Sequence, residues 1–312
     1  MAVADGHTGG VLDVEQTEQG FAASAVAVRA RRDVVEMVGP DAGSYLHGQL
    51  SQDVLGLPVG SSAPTLLLQP QGKVDAWLRL TRLGNDRFWL DVDCGYGEPV
   101  LARLKRFMLR TDAELGLATL EMVAVRGPAA GAGPEALGFA VPPDGAIVDG
   151  LWPGVDGFDV LAPQVELPAG LAEGPQAALE ALRIRLGIPA MGSELTTGTI
   201  PAAAGVVERS VDFAKGCYVG QELVARIDSR GSNTPTRLRG LRLERAVPAG
   251  HEADVVQGGQ KVGSLTSVAP ASAIGPVGLG YVKRSVDVPS AAELVGADGQ
   301  PVPVQIVELP FT

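Results

Sequence analysis

The chain has 312 residues, and 25 Lys+Arg against 36 Asp+Glu leave a formal net charge of −11. That charge excludes a general grip on nucleic-acid phosphates, which needs a basic field. No apolar run reaches the roughly 18 residues of a membrane-spanning helix, and two Cys with three scattered His exclude a disulfide framework or a local zinc site.

Hydrophobic residues make up 46% of the chain, aromatics only 4%, and there are 41 Gly and 23 Pro. This predicts a globular, turn-rich protein with an aliphatic core. Residues 1–31 are expected to be a loose polar lead-in. Asp5, Asp13, Glu15 and Glu18 break any apolar stretch that a secretory signal would need, so the expected compartment is the reducing cytoplasm. Val34–Val38, closed by Gly39-Pro40, predicts a strand and a turn. Asp41 is placed to cap a helix reaching about Asp53, with Tyr45, Leu46 and Leu50 on its buried stripe. Thr65–Leu68 and Val74–Thr81, on either side of Gln69–Gly72, predict a hairpin, and Arg87–Val92 another strand. Glu98–Leu115 predicts a long amphipathic helix. Val100, Leu101, Leu104, Phe107 and Met108 form its apolar face, and Arg103, Lys105, Arg106 and Arg110 form a cationic one. Leu120–Val125 and Phe158–Leu161 predict strands, with a Gly/Pro/Ala-rich loop over 127–150 between them. Pro175–Leu186 predicts a helix with Pro in its first turn and Gly187 just past its end. Beyond Pro235 short alternating runs, punctuated by Gly and Pro, predict a small β-barrel or sandwich. The expected division is therefore 1–31, 32–234 and 235–312.

The densest segment chemically is Phe213–Glu222. Cys217 lies between Gly216 and Gly220, and glycines allow positive φ and close backbone approach. The Lys215 ammonium, two residues away, favours a thiolate. Tyr218 offers a flat face and a hydroxyl. Gln221 and Glu222 open a helix that continues to Ile227, with Glu222 suited to its dipole. Residue types alone leave Cys217 as either a reactive thiol or a small buried hydrophobe. Cys94, beside Asp91 and Asp93, reads as structural. Asp75 reads equally as a turn carboxylate, and His47 as a helix-surface residue.

Lys215-Gly216-Cys217-Tyr218-Val219-Gly220-Gln221-Glu222 resembles the signature octapeptide of the YgfZ-type folate-binding proteins. These are iron–sulfur cluster maintenance factors related to the glycine-cleavage T-protein, an aminomethyltransferase. Arg183–Pro189, Gly192–Leu195 and Ile200-Pro201 resemble the family's approach to that motif, and Ala225–Ile227 with Ser229–Gly231 its exit. Gly48–Val54, Pro70–Lys73 and Arg103–Phe107 match upstream segments. Val262–Ser267 and Gly278–Val282 match the barrel, so the resemblance runs from about Arg32 to near the end.

The resemblance implies an α+β, T-protein-like three-part ring. Two interleaved α+β parts and a C-terminal β-barrel would surround a central folate-binding hole. It implies tetrahydrofolate or a one-carbon derivative as cofactor. The role would be an accessory one in iron–sulfur cluster assembly or repair, acting on client enzymes that include tRNA-thiolating ones. Partners would be iron–sulfur client or assembly proteins, with no direct nucleic-acid or membrane contact, and the chain would be a monomer. Cys217 would be an essential or redox-responsive residue and Asp75 a second catalytic candidate. Folate contacts would come from Lys215, Gly216, Tyr218, Gln221, Glu222 and Arg226. Arg103, Arg106 and Arg110 would grip its anionic tail. The chain departs from the pattern at Arg185 and Ala203, where acidic residues are common. Ala76 also replaces the second of a pair of Asp, and Val155 stands where the T-protein's Glu grips the pteridine. Aminomethyl or methyl transfer is therefore the alternative reading, and enzymatic turnover is left open.

Overall fold

The computed structural model describes residues 11–229, 231, 233–297 and 299–311. Helix α1 (Val14–Ala23) leads into strand β1 (Val26–Val38). Helix α2 (Ala42–Gln49) then precedes a meander of β2 (Ser62–Leu68), β3 (Val74–Arg82) and β4 (Arg87–Asp93). Helix α3 (Gly97–Phe107) precedes β5 (Glu114–Arg126). Short strands β6 (Ala146–Asp149), β7 (Gly157–Ala162) and β8 (Ala172–Gly174) follow, and then α4 (Gln176–Arg185), α5 (Val207–Ser210) and α6 (Gln221–Asp228).

All eight strands form one sheet, ordered β2-β3-β4-β1-β5-β7-β6 with β8 on β1. Strand β1 joins its two halves. It pairs along its whole length with β5, pairs over Arg32–Val38 with β4, and over Val26–Val28 runs parallel to β8. Its β-branched residues suit such a position, buried on a pleated surface: Val26, Val28, Val34 and Val35 are all buried.

The rest is a closed barrel of β9 (Thr236–Leu243), β10 (Ala253–Gln257), β11 (Gln260–Ala269), β12 (Val277–Lys283), β13 (Ser290–Gly296) and β14 (Pro301–Val307). Closure leaves no open strand edge. In β14 the alternation is plain, with Val302, Val304 and Ile306 inward and the residues between them exposed. Strand β13 is missed by the sequence pattern because Ser290, Ala291 and Ala292 give little hydrophobic contrast.

Helix α4 is wedged between sheet and barrel. Ala178, Leu179 and Leu182 pack with Val26, Val28 and Leu161, while Ala181 and Ile184 pack with Leu238, Val277 and Leu279. Pro175 opens the helix, and Gly187 at φ +68° closes it. A carboxylate ties the same junction. Glu194, 1% exposed, accepts from Arg183 Nη1 and the Ala190 N–H, both at 3.0 Å, and from the β11 hydroxyls of Thr266 and Ser267 at 2.7 and 2.6 Å.

Four expectations need correction. From Val14 the lead-in is ordered; its first ten residues lie outside the described residues. Asp13 and Gln16 form a capping box on α1, Phe21 is buried, and Glu18 pairs inside the fold with Arg185 at 3.0 Å. The acidic residues that suggested solvent thus have partners too distant in sequence to foresee. Helix α2 stops at Gln49, because Leu50 turns extended and bridges Leu67. Asp41 does not cap it; its carboxylate accepts from the Asp112 N–H at 2.8 Å. Helix α3 ends at Phe107 rather than Leu115, since Glu114 and Leu115 are captured by pairing with Val38 and Met37 of β1. The loop at 127–150 holds two 3-10 turns and strand β6.

Candidate functional site

The glycine-framed loop lies at the surface. Cys217 is exposed and unpaired, which removes the buried-hydrophobe reading. Lys215 is bonded to backbone. Its ammonium donates to the carbonyls of His47 and Leu50 at the end of α2, at 2.5 and 2.6 Å, where a cation suits the helix dipole. It also lies 4.9 Å from the centre of the Tyr218 ring. Burial depresses the Lys215 pKa to about 8 against the opposing pull of Asp53 and Asp212, and burial pushes the Tyr218 hydroxyl up to about 12. His47, whose Nδ1 is 3.3 Å from Asp53 Oδ1, is pushed below the usual imidazole range by burial and by Lys215. Asp212 Oδ1 accepts from the N–H groups of Ala214 and Lys215. Gln221 accepts from the Tyr218 N–H at 3.1 Å, closing the loop onto α6. Glu222 and Arg226 point into solvent.

The loop's second glycine is structural. Gly220 has φ +84°, and a Cβ there would lie 2.5 Å from Gln69 O and 3.1 Å from Gly72 Cα. Two glycines thus pack the β2–β3 turn directly against the start of α6. Next to it, Arg103 donates to Asp75 Oδ2 at 3.2 Å and to Leu68 O at 3.3 Å, with the Phe107 ring 4.2 Å away. Two residues nominated for different roles are therefore each other's partners. Arg106 and Arg110 remain exposed on or just beyond α3.

None of these residues lines the central cavity, which measures about 120 Å³. Its wall is built on charges set within apolar strands. Arg79 of β3 stands opposite Asp91 of β4 in register and donates to it at 2.7 and 3.1 Å. Asp159 of β7 lies 2.5 Å from Arg79 Nη1 and 2.7 Å from Arg126 Nη1. Burial alone would raise its pKa, but Arg126 and Arg79 hold it below the usual carboxylate range. Two indoles complete the wall: Trp152 lies 4.7 Å from the Arg126 guanidinium, and Trp77 5.4 Å from that of Arg209. Among the described residues nothing hydrogen-bonds to Nε of Arg126, which is 1% exposed. A buried unmatched donor is costly unless something else accepts from it. A cavity lined by two indoles and such a donor suits a flat heterocycle with an acceptor edge, and a reduced pterin fits that description.

Sequence reasoning missed this wall, although one signal was available. Arg79, Asp91 and Asp159 each stand between two apolar strand residues (Leu78 and Leu80, Leu90 and Val92, Phe158 and Val160), and a charge buried there has to be paired. The cavity and the Cys217 loop are mechanically linked. Trp77 Nε1 donates to Ser210 Oγ at 2.8 Å, and Ser51 Oγ donates to Ser210 O at 2.6 Å. Ser51 O in turn accepts from the Asp212 N–H at 3.0 Å.

No described helix is long and apolar enough to cross a membrane. Residues 236–312 match the glycine cleavage T-protein C-terminal barrel domain. An aminomethyltransferase of Rubrobacter xylanophilus is 30% identical over 94% of this chain and 86% of its own length. A mitochondrial iron–sulfur cluster assembly factor homologue of Neurospora crassa is 30% identical over 69% of this chain and 53% of its own. The tRNA-modifying protein YgfZ of Cronobacter sakazakii is 29% identical over 63% and 65% respectively. The solved aminomethyltransferase T of the Bartonella henselae glycine cleavage system shares the fold at TM-score 0.79 and 23% identity, over 96% of this chain and 89% of that one.

Proposed function

The chain belongs to the YgfZ-type branch of the aminomethyltransferase family, and from that premise we propose that it is a tetrahydrofolate-binding accessory protein in iron–sulfur cluster assembly or repair. The observation that carries the cofactor is the buried, partnerless Arg126 Nε in the wall of a cavity that Trp77 and Trp152 also line. In this reading Arg126, Trp77 and Trp152 would hold the pterin, Arg126 by a hydrogen bond from its free Nε. The Asp159–Arg79–Asp91 network holds that wall in place before the ligand arrives. A bound reduced folate supplies one-carbon chemistry. Cys217 works outside the cavity, as a thiol presented on a braced loop to iron–sulfur client or assembly proteins. A net charge of −11 directs any effect on tRNA through client enzymes rather than through direct binding. The compartment is the reducing cytoplasm and the chain acts as a monomer.

A transferase needs a carboxylate positioned at the cofactor. Asp75 is paired with Arg103 and does not line the cavity, and the two carboxylates that do, Asp93 and Asp159, are each tied up by arginines of its wall. This favours the accessory role.

The test is titration calorimetry of tetrahydrofolate and its methylene and formyl forms against wild type and Cys217→Ala, together with complementation of a cluster-defective strain. Both proteins are expected to bind alike, and only wild type to complement. No binding at millimolar folate would overturn the cofactor, and full complementation by Cys217→Ala the role of the thiol.

A further inference from the structure

A second, larger hollow of about 840 Å³ adjoins the central cavity. Among the described residues, Arg209 is the one that lines both. Its neighbours continue the partition on either side: Trp152 faces inward and Pro153 outward, Ile188 inward and Gly187 outward. Arg209 therefore stands in the wall that the two spaces share, here called the neck.

Its bonding differs from that of every other arginine in the cavity wall. Arg32 has Asp91 and Asp93, Arg79 has Asp91 and Asp159, Arg126 has Asp159, and Arg183 has Glu180 and Glu194. Arg209 instead donates to the Leu151 carbonyl and lies over the Trp77 ring. No described carboxylate forms an ion pair with it, and burial lowers its pKa. Leu151, which supplies that carbonyl, has φ +55°, a conformation that a side chain with a Cβ disfavours. The contact that keeps Arg209 in place is thus a weak acceptor on strained backbone, and a carboxylate would be a stronger one.

The outer space suits such a group. Arg209, Arg237 and Arg239 line it together with Glu208, Glu308 and Phe213, the last 52% exposed. Arg239 pairs with Glu308 at 2.6 Å.

We propose that Arg209 is a specificity-determining residue that reads a carboxylate-bearing arm. The ligand's flat head would fill the central cavity, and its arm would pass the neck into the outer hollow. Arg209 would then exchange the Leu151 carbonyl for the arm's carboxylate. The identity of the head rests on the folate reading; the arm rests on the charges at the neck. The α3 arginines are displaced as the tail site, because they do not line either space.

The test compares wild type, Arg209→Met and Arg209→Lys by calorimetry, using three ligands. Tetrahydrofolate carries head and arm, methyl-tetrahydropterin the head alone, and p-aminobenzoylglutamate the arm alone. Methionine keeps the aliphatic stem over Trp77, and lysine keeps the charge without the fork. Arg209→Met is expected to weaken tetrahydrofolate about 10- to 100-fold, the value of a charge-assisted hydrogen bond. It should weaken p-aminobenzoylglutamate similarly and leave the pterin unchanged, with Arg209→Lys in between. Equal weakening of pterin and folate would show a structural role and overturn the proposal, as would no weakening of either arm-bearing ligand. If no pterin or folate binds wild type, the folate reading fails by itself. The arm-only ligand then decides: binding that Arg209→Met abolishes sustains the proposal, and no binding to wild type overturns it.

Discussion

Asp159→Asn probes the cavity wall directly. Asp159 is 3% exposed and serves two arginines, which do not depend on it equally. Arg79 keeps Asp91 on Nε at 2.7 Å and on Nη2 at 3.1 Å, and the Asp149 carbonyl at 2.8 Å. Arg126 keeps only the carbonyls of Val125 and Phe158, each at 3.0 Å. The neutral amide therefore leaves one guanidinium buried without a counter-charge. Breaking a buried pair in this way costs about 3–5 kcal/mol, or roughly two to four powers of ten in the folded-to-unfolded ratio. Urea unfolding followed by tryptophan fluorescence and far-UV circular dichroism measures it. Arg126→Met combined with Asp159→Leu removes both charges and should recover most of the loss. A loss under about 1 kcal/mol, or a double variant no more stable than the single one, would refute the reasoning. The pH dependence follows with a definite sign. Arg126 and Arg79 hold the folded pKa of Asp159 below its unfolded value of about 3.9. Its stabilisation is thus full above that value and disappears as pH falls through the depressed one, so the variant should show a flatter acid limb.

Gly220→Ala should destabilise by about 2–4 kcal/mol in the same urea assay, from positive-φ strain plus a clash with backbone that cannot give way. Glu194→Gln should weaken the junction between sheet and barrel enough for calorimetry to resolve two unfolding transitions in place of one. Lys215 has a folded pKa of about 8, below its usual 10.5. Its unfolded form binds more protons between those values, so stability should rise with pH across that window. Lys215→Met should remove that rise, as chemical denaturation at stepped pH would show.

What was legible in the sequence was what neighbours in sequence decide. The β2–β3 hairpin follows from alternation around Gln69–Gly72, and α4 from Pro175 and Gly187. The fold class followed from an octapeptide and ordered weak matches. What was not legible was set by distant partners. Glu18 looked like solvent-exposed charge until Arg185, far along the chain, closed on it. Leu115 fitted a helical face, but pairing with Met37 drew it into a strand. Lys215 looked like the activator of Cys217 because it is close in sequence, yet the end of α2 offered its ammonium two carbonyls. The cavity is the extreme case, with walls drawn from β3, β5, β7 and α5, and no window of sequence contains it.

Strand β1 has a consequence for how the chain acquires its structure. Val26, near the start, takes its parallel partner at Ala172, and its antiparallel partner at Arg126. Contacts so remote in sequence make folding slow, because loop closure comes before the contacts that reward it. During synthesis the Val-rich edge of β1 emerges long before β5 and β8 exist to cover it. That leaves an unpaired apolar strand of the kind that recruits other chains. A nascent chain shorter than about Gly174 thus carries an apolar strand that its own later residues have yet to cover.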